Sequence, residues 1–573
     1  MTQPATTAGE RHKVLILGAG ISGCSVAREL VLNGVDVWLV EKNDIVFGAT
    51  SRASRLIHGG LRYLEYADFH LVRESLAERT RLCKLAGHLV EPLRLYIPVA
   101  ERTSGLIQSG LNFVGATRSS FLSWLTRPLQ HKSERGLWAI EIGLTLYDRF
   151  AADPQMPPHT IHELGEPGVP QLDCSRFRWL CGYSDAQMRF PERYCVALLE
   201  DTRQIALSSG VDFRLFTYSQ ANFVGETVKV TDSHGRELEI SPAIVVNATG
   251  AWGDLTLGEL QVPAPRLFGG TKGSHFVSHQ AALKQAIGPA GVYAEAADGR
   301  LIFVLPLGDA VLVGTTDERF DARPETAVAS DAELTYLIST VNELFPDVHL
   351  SHGDVTLTYS GVRPLPYVGD ASEGSISRDH SVAVHSHGRT PVLTLVGGKL
   401  TTSRALGELV SDKVLERLGV TRSAMTIGRY LPGSKNLPED AAEREQQKRE
   451  VASQFGLNLE QVAAIWELCG TLTAEILRTQ QSADADPRRL ENLSGSALPR
   501  TYVRWVIEHE RVERLEDLIE RRLMVLYQPQ LSRRTVEELA DLLVESGRLA
   551  AAERPAAVDR AIANVASIYG RRL

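Results

Sequence analysis

The stretch Lys13–Val40, KVLILGAGISGCSVARELVLNGVDVWLV, decides the fold class. Lys13–Leu17 (KVLIL) is a short apolar run that stops at glycines, as a buried parallel strand does. A helical stretch follows from Ile21 to about Asn33, and Gly34 stands where a helix C-terminal cap belongs. Val35–Val40 (VDVWLV) reads as a second buried strand. Strand, helix and strand in immediate succession form the unit of a doubly wound α/β sheet. The turn between the first strand and the helix is Gly18-Ala19-Gly20-Ile21-Ser22-Gly23. Gly18 permits the tight turn, Gly20 lets a pyrophosphate approach bare backbone, and Gly23 lets the helix pack closely on the strand. The N–H groups of the helix start, at Ala19 to Ser22, suit phosphate oxygens. Glu41 ends the second strand, where a carboxylate accepts bonds from a ribose. An ordinary tight turn fits the glycines alone. The β–α–β setting together with Glu41 favours a dinucleotide site.

Outward from this unit, the chain of 573 residues is far longer than the roughly 250–300 at which one core stops growing. Two or three domains follow, with 43% hydrophobic residues to fill them. Sixty-one Lys and Arg against 70 Asp and Glu leave a net charge of −9 without long single-sign blocks, which argues against nucleic acid as the main partner. The six cysteines, Cys24, Cys83, Cys174, Cys181, Cys195 and Cys469, form no C-x-x-C pair or zinc-like cluster, so they read as buried free thiols in a reducing compartment, and no metal is expected. Met1–Glu10 lacks the apolar run of a signal peptide, and nowhere do 18 apolar residues run together. The expectation is a cytoplasmic protein, with attachment to a membrane surface left open.

Further strands are expected at Val211–Leu215, Thr227–Thr231, Ala243–Val246 and Val392–Val396. Leu301–Pro306 and Val311–Gly314, joined at Gly308-Asp309, read as a hairpin. Leu431–Asp440 (LPGSKNLPED) is rich in turn formers and reads as a linker to a separate helical domain running to Leu573. Between about Arg102 and Arg135, Ile107, Leu111, Val114, Phe121, Leu122 and Leu125 recur near helical spacing beside Trp124. This segment fits either an amphipathic helix on a bilayer surface or a helical pair packed on the protein.

Thr50-Ser51-Arg52-Ala53-Ser54-Arg55-Leu56-Ile57-His58-Gly59-Gly60-Leu61-Arg62-Tyr63-Leu64-Glu65 closely resembles the signature of the FAD-dependent, aerobic-type glycerol-3-phosphate dehydrogenases. Their pattern is similar, in order, to Asn247–Trp252 (NATGAW), Lys272–His275 (KGSH), Val313–Asp317 (VGTTD), Tyr359–Pro364 (YSGVRP) and Gly397–Thr402 (GGKLTT). The resemblance covers most of residues 13–410. Two departures stand out: the segment near 102–135 looks like an insertion, and Gln187–Glu192 (QMRFPE) replaces the family's usual acidic pair, which bears on the exact substrate.

The resemblance implies FAD as cofactor and sn-glycerol 3-phosphate as substrate. It implies dihydroxyacetone phosphate as product and a quinone acceptor at the membrane. A peripheral membrane surface and a homodimer remain open as partners. In the loop Thr50–Gly60, the small or hydroxylated Thr50, Ser51 and Ser54 suit a pyrophosphate and ribitol chain. Gly250 lies in a second cofactor motif. Gly398, Lys399, Leu400 and Thr401 form a turn into a helix beginning near Leu400, whose N-terminus would stabilise a reduced flavin. The reaction needs a hydride acceptor, a base for the hydroxyl proton, and cations for the phosphate. Arg363 and Arg62 are the clamp candidates because guanidinium forks match phosphate oxygens. Lys399 serves the phosphate or the flavin, His58 and His275 are alternative bases, and Tyr63 orients the substrate.

The resulting architecture is α/β in three parts. A glutathione-reductase-type FAD domain is drawn from residues 1–100, 191–262 and 360–420. An antiparallel-sheet substrate domain takes 101–190 and 263–359, and a helical C-terminal domain takes 431–573. A flavin oxidase of the amine or amino-acid type, returning electrons to oxygen, is the competing reading on the same fold. A non-catalytic flavoprotein is a third.

Overall fold

The computed structural model describes residues 12–66, 68–101, 136–153, 156–369, 380–483 and 486–573. The apolar stretch at 102–135, and with it the choice between a bilayer helix and a packed helical pair, lies outside these residues, as does the side chain of Arg62.

β1 (Lys13–Leu17), α1 (Ile21–Leu32) and β2 (Asp36–Val40) form where the apolar runs and the glycine turn place them. Asn33 closes α1 and Gly34 follows at φ +77°, a left-handed position open to glycine without strain. Around β1 lies a six-stranded sheet in the order 381–387, 390–396, 244–247, β1, β2, 213–216. All its neighbouring strands run parallel except the edge hairpin of Ser381–His387 with Thr390–Val396. β1 and β2 are apolar on both faces because Val14 and Ile16 share one core with α1 and the helices Pro191–Ser209 and Ser403–Leu418, where Leu30, Leu198 and Val410 also lie, while Leu15, Leu17, Trp38 and Val40 share another with Val228, Val230 and Leu257. An antiparallel meander, Gln220–Val224, Thr227–Thr231 and Glu237–Ile240, sits beside this layer.

The second layer is a ten-stranded, largely antiparallel sheet. Its centre includes the expected hairpin Leu301–Leu307 with Ala310–Gly314. Thr271–Ser278 pairs with both Ala310–Gly314 and Val355–Arg363. Val90–Val99, which falls within the first 100 residues, also belongs here, paired along its whole length with Trp179–Met188. The chain leaves the parallel sheet and returns to it several times, and residues from across the second sheet, among them Tyr183, Tyr293, Phe303 and Gly273, share one cavity with Leu17 and Val40 at the carboxyl ends of β1 and β2.

The C-terminal helices, among them Leu459–Cys469, Arg500–His509, Arg533–Glu545 and Arg554–Tyr569, share one apolar cluster with the ten-stranded sheet. Leu144, Tyr359, Val462, Val503 and Leu539 are all buried in it. This part is therefore docked rather than separately tethered, and the turn-rich 431–440 segment is docked too, with Leu431 N–H donating to Leu85 C=O at 2.9 Å. Buried charges cross the same boundary. Arg522 holds Asp44 with two bonds of 2.7 and 2.9 Å, and Arg521 adds a third of 2.7 Å. Arg193 holds Glu510 at 2.6 and 2.8 Å. Charges buried this completely are tolerable only when each is paired and its remaining donors are satisfied.

The thiols form no disulfide; Cys174 is exposed and Cys83 half-buried, while the other four are buried as expected. No helix is long and apolar enough to cross a membrane among the described residues.

Candidate active site

A cavity of about 1210 Å³ opens where the six-stranded sheet ends and the ten-stranded sheet crosses it. Its floor is the turn from β1 into α1. Gly18 has φ +96°, and a Cβ there would lie 2.7 Å from Ala248 O. A Cβ on Gly23 would lie 1.9 Å from Gly18 O, so this glycine sets the close approach of helix to strand. Gly20 is different: its φ is −76°, and its added Cβ would meet only Thr50 Oγ1, at 3.4 Å. Gly18, Gly20 and Ser22 line the cavity, so it meets bare backbone at the start of α1.

Glu41 lies on the same floor. Its two oxygens accept Ala19 N–H and Asn43 N–H, both at 2.9 Å, which locks the glycine turn to the end of β2. Burial raises its pKa and the two backbone bonds oppose that rise. Each oxygen keeps a second lone pair for a hydroxyl. Thr50 Oγ1 accepts Ile21 N–H at 3.2 Å, capping α1 from the following loop. Ser51 does not line the cavity: its hydroxyl turns to Gly48 O at 3.2 Å, which corrects the expectation that it contacts a cofactor. Gly250, at φ +61°, and the turn Gly397-Gly398, at φ +81° and +105°, complete the floor. Lys399, Leu400 and Thr401 line it as well, but the helix beyond begins at Ser403, with Thr402 at its N-cap position, rather than near Leu400.

The opposite wall comes from the ten-stranded sheet. Along Thr271–Ser278 alternate side chains face opposite ways. Lys272 and Ser274 point to Glu333, at 2.7 and 2.8 Å, while Gly273 and His275 face the cavity. This alternation is the physical content of the KGSH motif. A Cβ on Gly273 would lie 2.3 Å from Arg363 Nη2, so the absence of a side chain makes room for the guanidinium. Arg363 donates through Nη1 to Asp317 (2.8 Å) and Thr271 Oγ1 (3.2 Å), and through Nη2 to Thr315 Oγ1 (3.0 Å) and Thr316 O (3.2 Å). The fork is aimed by protein acceptors, and Asp317 offsets its charge.

Both histidines reach the cavity but differ in environment. His275 is buried, stacks on Tyr359 at 4.9 Å, and shares a 2.8 Å hydrogen bond between Nε2 and Ser54 Oγ. Burial, reinforced by the positive charges of Arg363 and Arg55, pushes its pKa down to about 3. His58 is half-buried, and its backbone N–H donates to Thr401 Oγ1 at 3.1 Å. Tyr63 packs over Gly60, and Lys399 Nζ sits 4.0 Å from the centroid of the Tyr63 ring, a cation–π contact that fixes the ammonium at the wall.

Three features were not visible in the motifs. Gly59 N–H donates to Tyr147 Oη (2.9 Å) and Asp185 Oδ1 (3.1 Å), and Arg79 reaches the same carboxylate (3.2 Å). This buried group fixes the loop that carries His58. Arg55, at φ +61° and fully buried, bonds Glu192 at 2.8 and 3.1 Å and Tyr527 at 2.5 Å. Arg55 therefore ties its loop to the helix Pro191–Ser209 through Glu192 and to the C-terminal part through Tyr527. Arg52 also lines the cavity. Among the described residues no group of three or more His, Cys, Asp or Glu is placed to hold a metal ion.

A bare glycine turn at a helix start, a carboxylate at the next strand end, and a long cavity bounded by a second glycine turn fit a dinucleotide such as FAD. Comparison with known proteins agrees. The family described as FAD dependent oxidoreductase matches residues 13–404. The chain is 36% identical over 451 residues to a glycerol-3-phosphate dehydrogenase of Synechocystis, covering 74% of each chain. It is 27% identical to the aerobic glycerol-3-phosphate dehydrogenase of Escherichia coli, over 90% of this chain and 94% of that one. It is 28% identical, with the same coverage, to the D-erythritol 1-phosphate dehydrogenase of Brucella abortus. Its fold is similar to that of the Bacillus halodurans glycerol-3-phosphate dehydrogenase solved with FAD, with a TM-score of 0.71 at 19% identity over 98% of this chain and 95% of that one.

Proposed function

This chain belongs to the FAD-dependent oxidoreductases, within the glycerol-3-phosphate dehydrogenase family, and from that premise we propose that it oxidises sn-glycerol 3-phosphate to dihydroxyacetone phosphate. The observation that carries the reading is the convergence on one cavity of the glycine turn, two imidazoles, Lys399 and Arg363. When bound, FAD supplies the hydride acceptor. Gly18, Gly20, Ser22, Glu41, Thr50 and Gly250 would hold its pyrophosphate and ribose side, with Ala19, whose N–H goes to Glu41, acting only through that carboxylate, and Gly398 to Thr401 would hold the flavin end. His58 takes the C2 hydroxyl proton. His275 is a poor proton acceptor, being held near a pKa of about 3 and engaged with Ser54, so it orients rather than abstracts. Arg363, Lys399 and Arg62 balance the phosphate, and Tyr63 places the ammonium of Lys399.

The division into FAD segments 1–100, 191–262 and 360–420, a substrate part and helices 431–573 is part of this reading, with Val90–Val99 moved to the substrate part, whose sheet it joins. Electrons pass on to a quinone. Because quinones are lipid-soluble, the enzyme works at the cytoplasmic face of a membrane, as a homodimer or a monomer. The test is anaerobic reduction of the bound flavin by sn-glycerol 3-phosphate, glycerol, D-erythritol 1-phosphate and a panel of amino acids, followed by reoxidation with a quinone or with oxygen. Bleaching by an amino acid with no response to glycerol 3-phosphate overturns the substrate. Stoichiometric peroxide release at rates matching quinone turnover overturns the acceptor.

A further inference from the structure

Ten arginines are buried among the described residues. Eight of them pair with a carboxylate, as Arg28 does with Asp201, Arg55 with Glu192 and Arg522 with Asp44. A ninth, Arg571, spreads its donors over the carbonyls of Leu526, Gln528, Pro529 and Leu531. Arg52 has neither arrangement. It is 7% exposed and has no carboxylate within ion-pair distance among the described residues, yet its guanidinium makes a single long bond, 3.4 Å from Nη1 to Ser360 O. Its Nε is buried without a hydrogen-bond partner among the described residues, and the guanidinium lies 5.3 Å from the centroid of the Phe47 ring. A charge taken out of water on these terms is unfavourable unless a counter-charge arrives.

The residue is nonetheless held in place. Arg52 N–H donates to Ala49 O at 3.2 Å, and its Cβ packs so closely on Gly361 that a Cβ there would come within 3.0 Å of it. It lines the cavity two residues after Thr50, whose hydroxyl touches the first turn of α1, and on the strand that ends in Arg363 its neighbour is Gly361. It thus lies between the cofactor floor and the substrate wall. We infer that Arg52 is reserved for a phosphate oxyanion bound in the cavity, supplied by the dinucleotide's pyrophosphate or by the substrate's phosphate ester. Its delocalised fork with open donors matches such oxygens, whereas the fork of Arg55 in the same loop is already filled by Glu192, Tyr527 and backbone carbonyls. The inference rests on the reading of the cavity as an FAD and phosphoester site.

The experiment compares the wild type with Arg52→Met and Arg52→Lys, each prepared as apoprotein and holoenzyme. Because methionine removes a charge without a partner, the apoprotein of Arg52→Met should melt no lower than wild-type apoprotein. The variant should lose tenfold or more in one of two quantities. A rise in the FAD dissociation constant, with kcat/KM for sn-glycerol 3-phosphate unchanged at saturating FAD, assigns the oxyanion to the cofactor. A fall in that kcat/KM, with FAD affinity and the slow turnover of glycerol unchanged, assigns it to the substrate. Arg52→Lys should recover part of the loss because charge returns without the fork. Unchanged FAD affinity and unchanged kcat/KM in Arg52→Met overturn the inference, as does an equal melting loss in apoprotein and holoenzyme, which marks a packing role. A wild-type protein that neither binds FAD nor is reduced by glycerol 3-phosphate sinks the proposed function instead, whatever the variants do.

Discussion

Replacing Gly20 with valine separates cofactor binding from folding, because the three glycines of the first turn are demanded by different neighbours. At Gly18 an added Cβ meets Ala248 O at 2.7 Å in a left-handed backbone, and at Gly23 it meets Gly18 O at 1.9 Å. Both are contacts with backbone, so substitution there strains the fold itself. Gly20 has φ −76° and ψ 179°, extended values that suit a β-branched residue, and its Cβ makes one ordinary contact of 3.4 Å with Thr50 Oγ1. On the apoprotein, Gly20→Val should therefore be close to neutral. The smaller backbone entropy of the unfolded chain favours it by about 0.4–1 kcal/mol, and slight crowding of Thr50 opposes it. On the holoenzyme the outcome reverses, since the valine methyls occupy the space through which a pyrophosphate reaches the start of α1. Binding at a hundred times the dissociation constant stabilises a protein by about 2.7 kcal/mol, and the variant forfeits that amount. Gly20→Val should purify colourless and melt with the wild-type apoprotein, unmoved by added FAD, whereas Gly23→Ala should lower the melting temperature of the apoprotein itself. A yellow Gly20→Val protein with full flavin content would refute the placement of the site.

Arg363→Lys keeps the charge but loses the fork that spans Asp317, Thr271, Thr315 and Thr316. With hydrogen bonds to charged groups on the order of 1.5–3 kcal/mol each, kcat/KM for sn-glycerol 3-phosphate should fall tenfold or more while glycerol turnover hardly changes. Equal losses for both substrates in steady-state assays would remove Arg363 from phosphate binding. Asp44→Asn leaves Arg521 and Arg522 facing a neutral amide in a dry boundary, so urea unfolding should show a loss of about 3–5 kcal/mol; a loss below about 1 kcal/mol would mean that Glu520 and backbone carbonyls already suffice. His275 adds a pH dependence. Its folded pKa of about 3 lies below the unfolded value of about 6.5, so between these pH values the unfolded state binds more protons. Its contribution is whole above pH 6.5 and declines by about 1.4 kcal/mol per pH unit as pH falls toward 3. His275→Asn should flatten the fall of the urea midpoint between about pH 6.5 and 4.5, and parallel slopes in the two proteins would show that His275 is protonated in the folded state.

The β–α–β unit was legible because its causes are local. A run of apolar residues, a turn that only glycine closes, and a helix followed by Gly34 all lie within a few residues of one another. The hairpin at Gly308-Asp309 was legible for the same reason. The cavity residues were legible as types: His58, His275, Tyr63, Arg363 and Lys399 reach one cavity, as their motifs implied. What no local pattern carries is which partner each side chain finds. The bond between Ser54 and His275 joins residues 221 positions apart, and it took the crossing of two sheets to distinguish the two imidazoles. Ser51, one step from Thr50 in a loop of small polar residues, turns away because the loop's own curvature gives its hydroxyl to Gly48 O. The C-terminal helices look like an independent domain in a charged, turn-bounded sequence, yet Arg522 and Tyr527 close over Asp44 and Arg55 from more than 470 positions away. Composition counts charges, but only the packed structure shows which are neutralised, and among the described residues it leaves Arg52 without a counter-charge beside the cavity because burial and pairing are properties of neighbours in space.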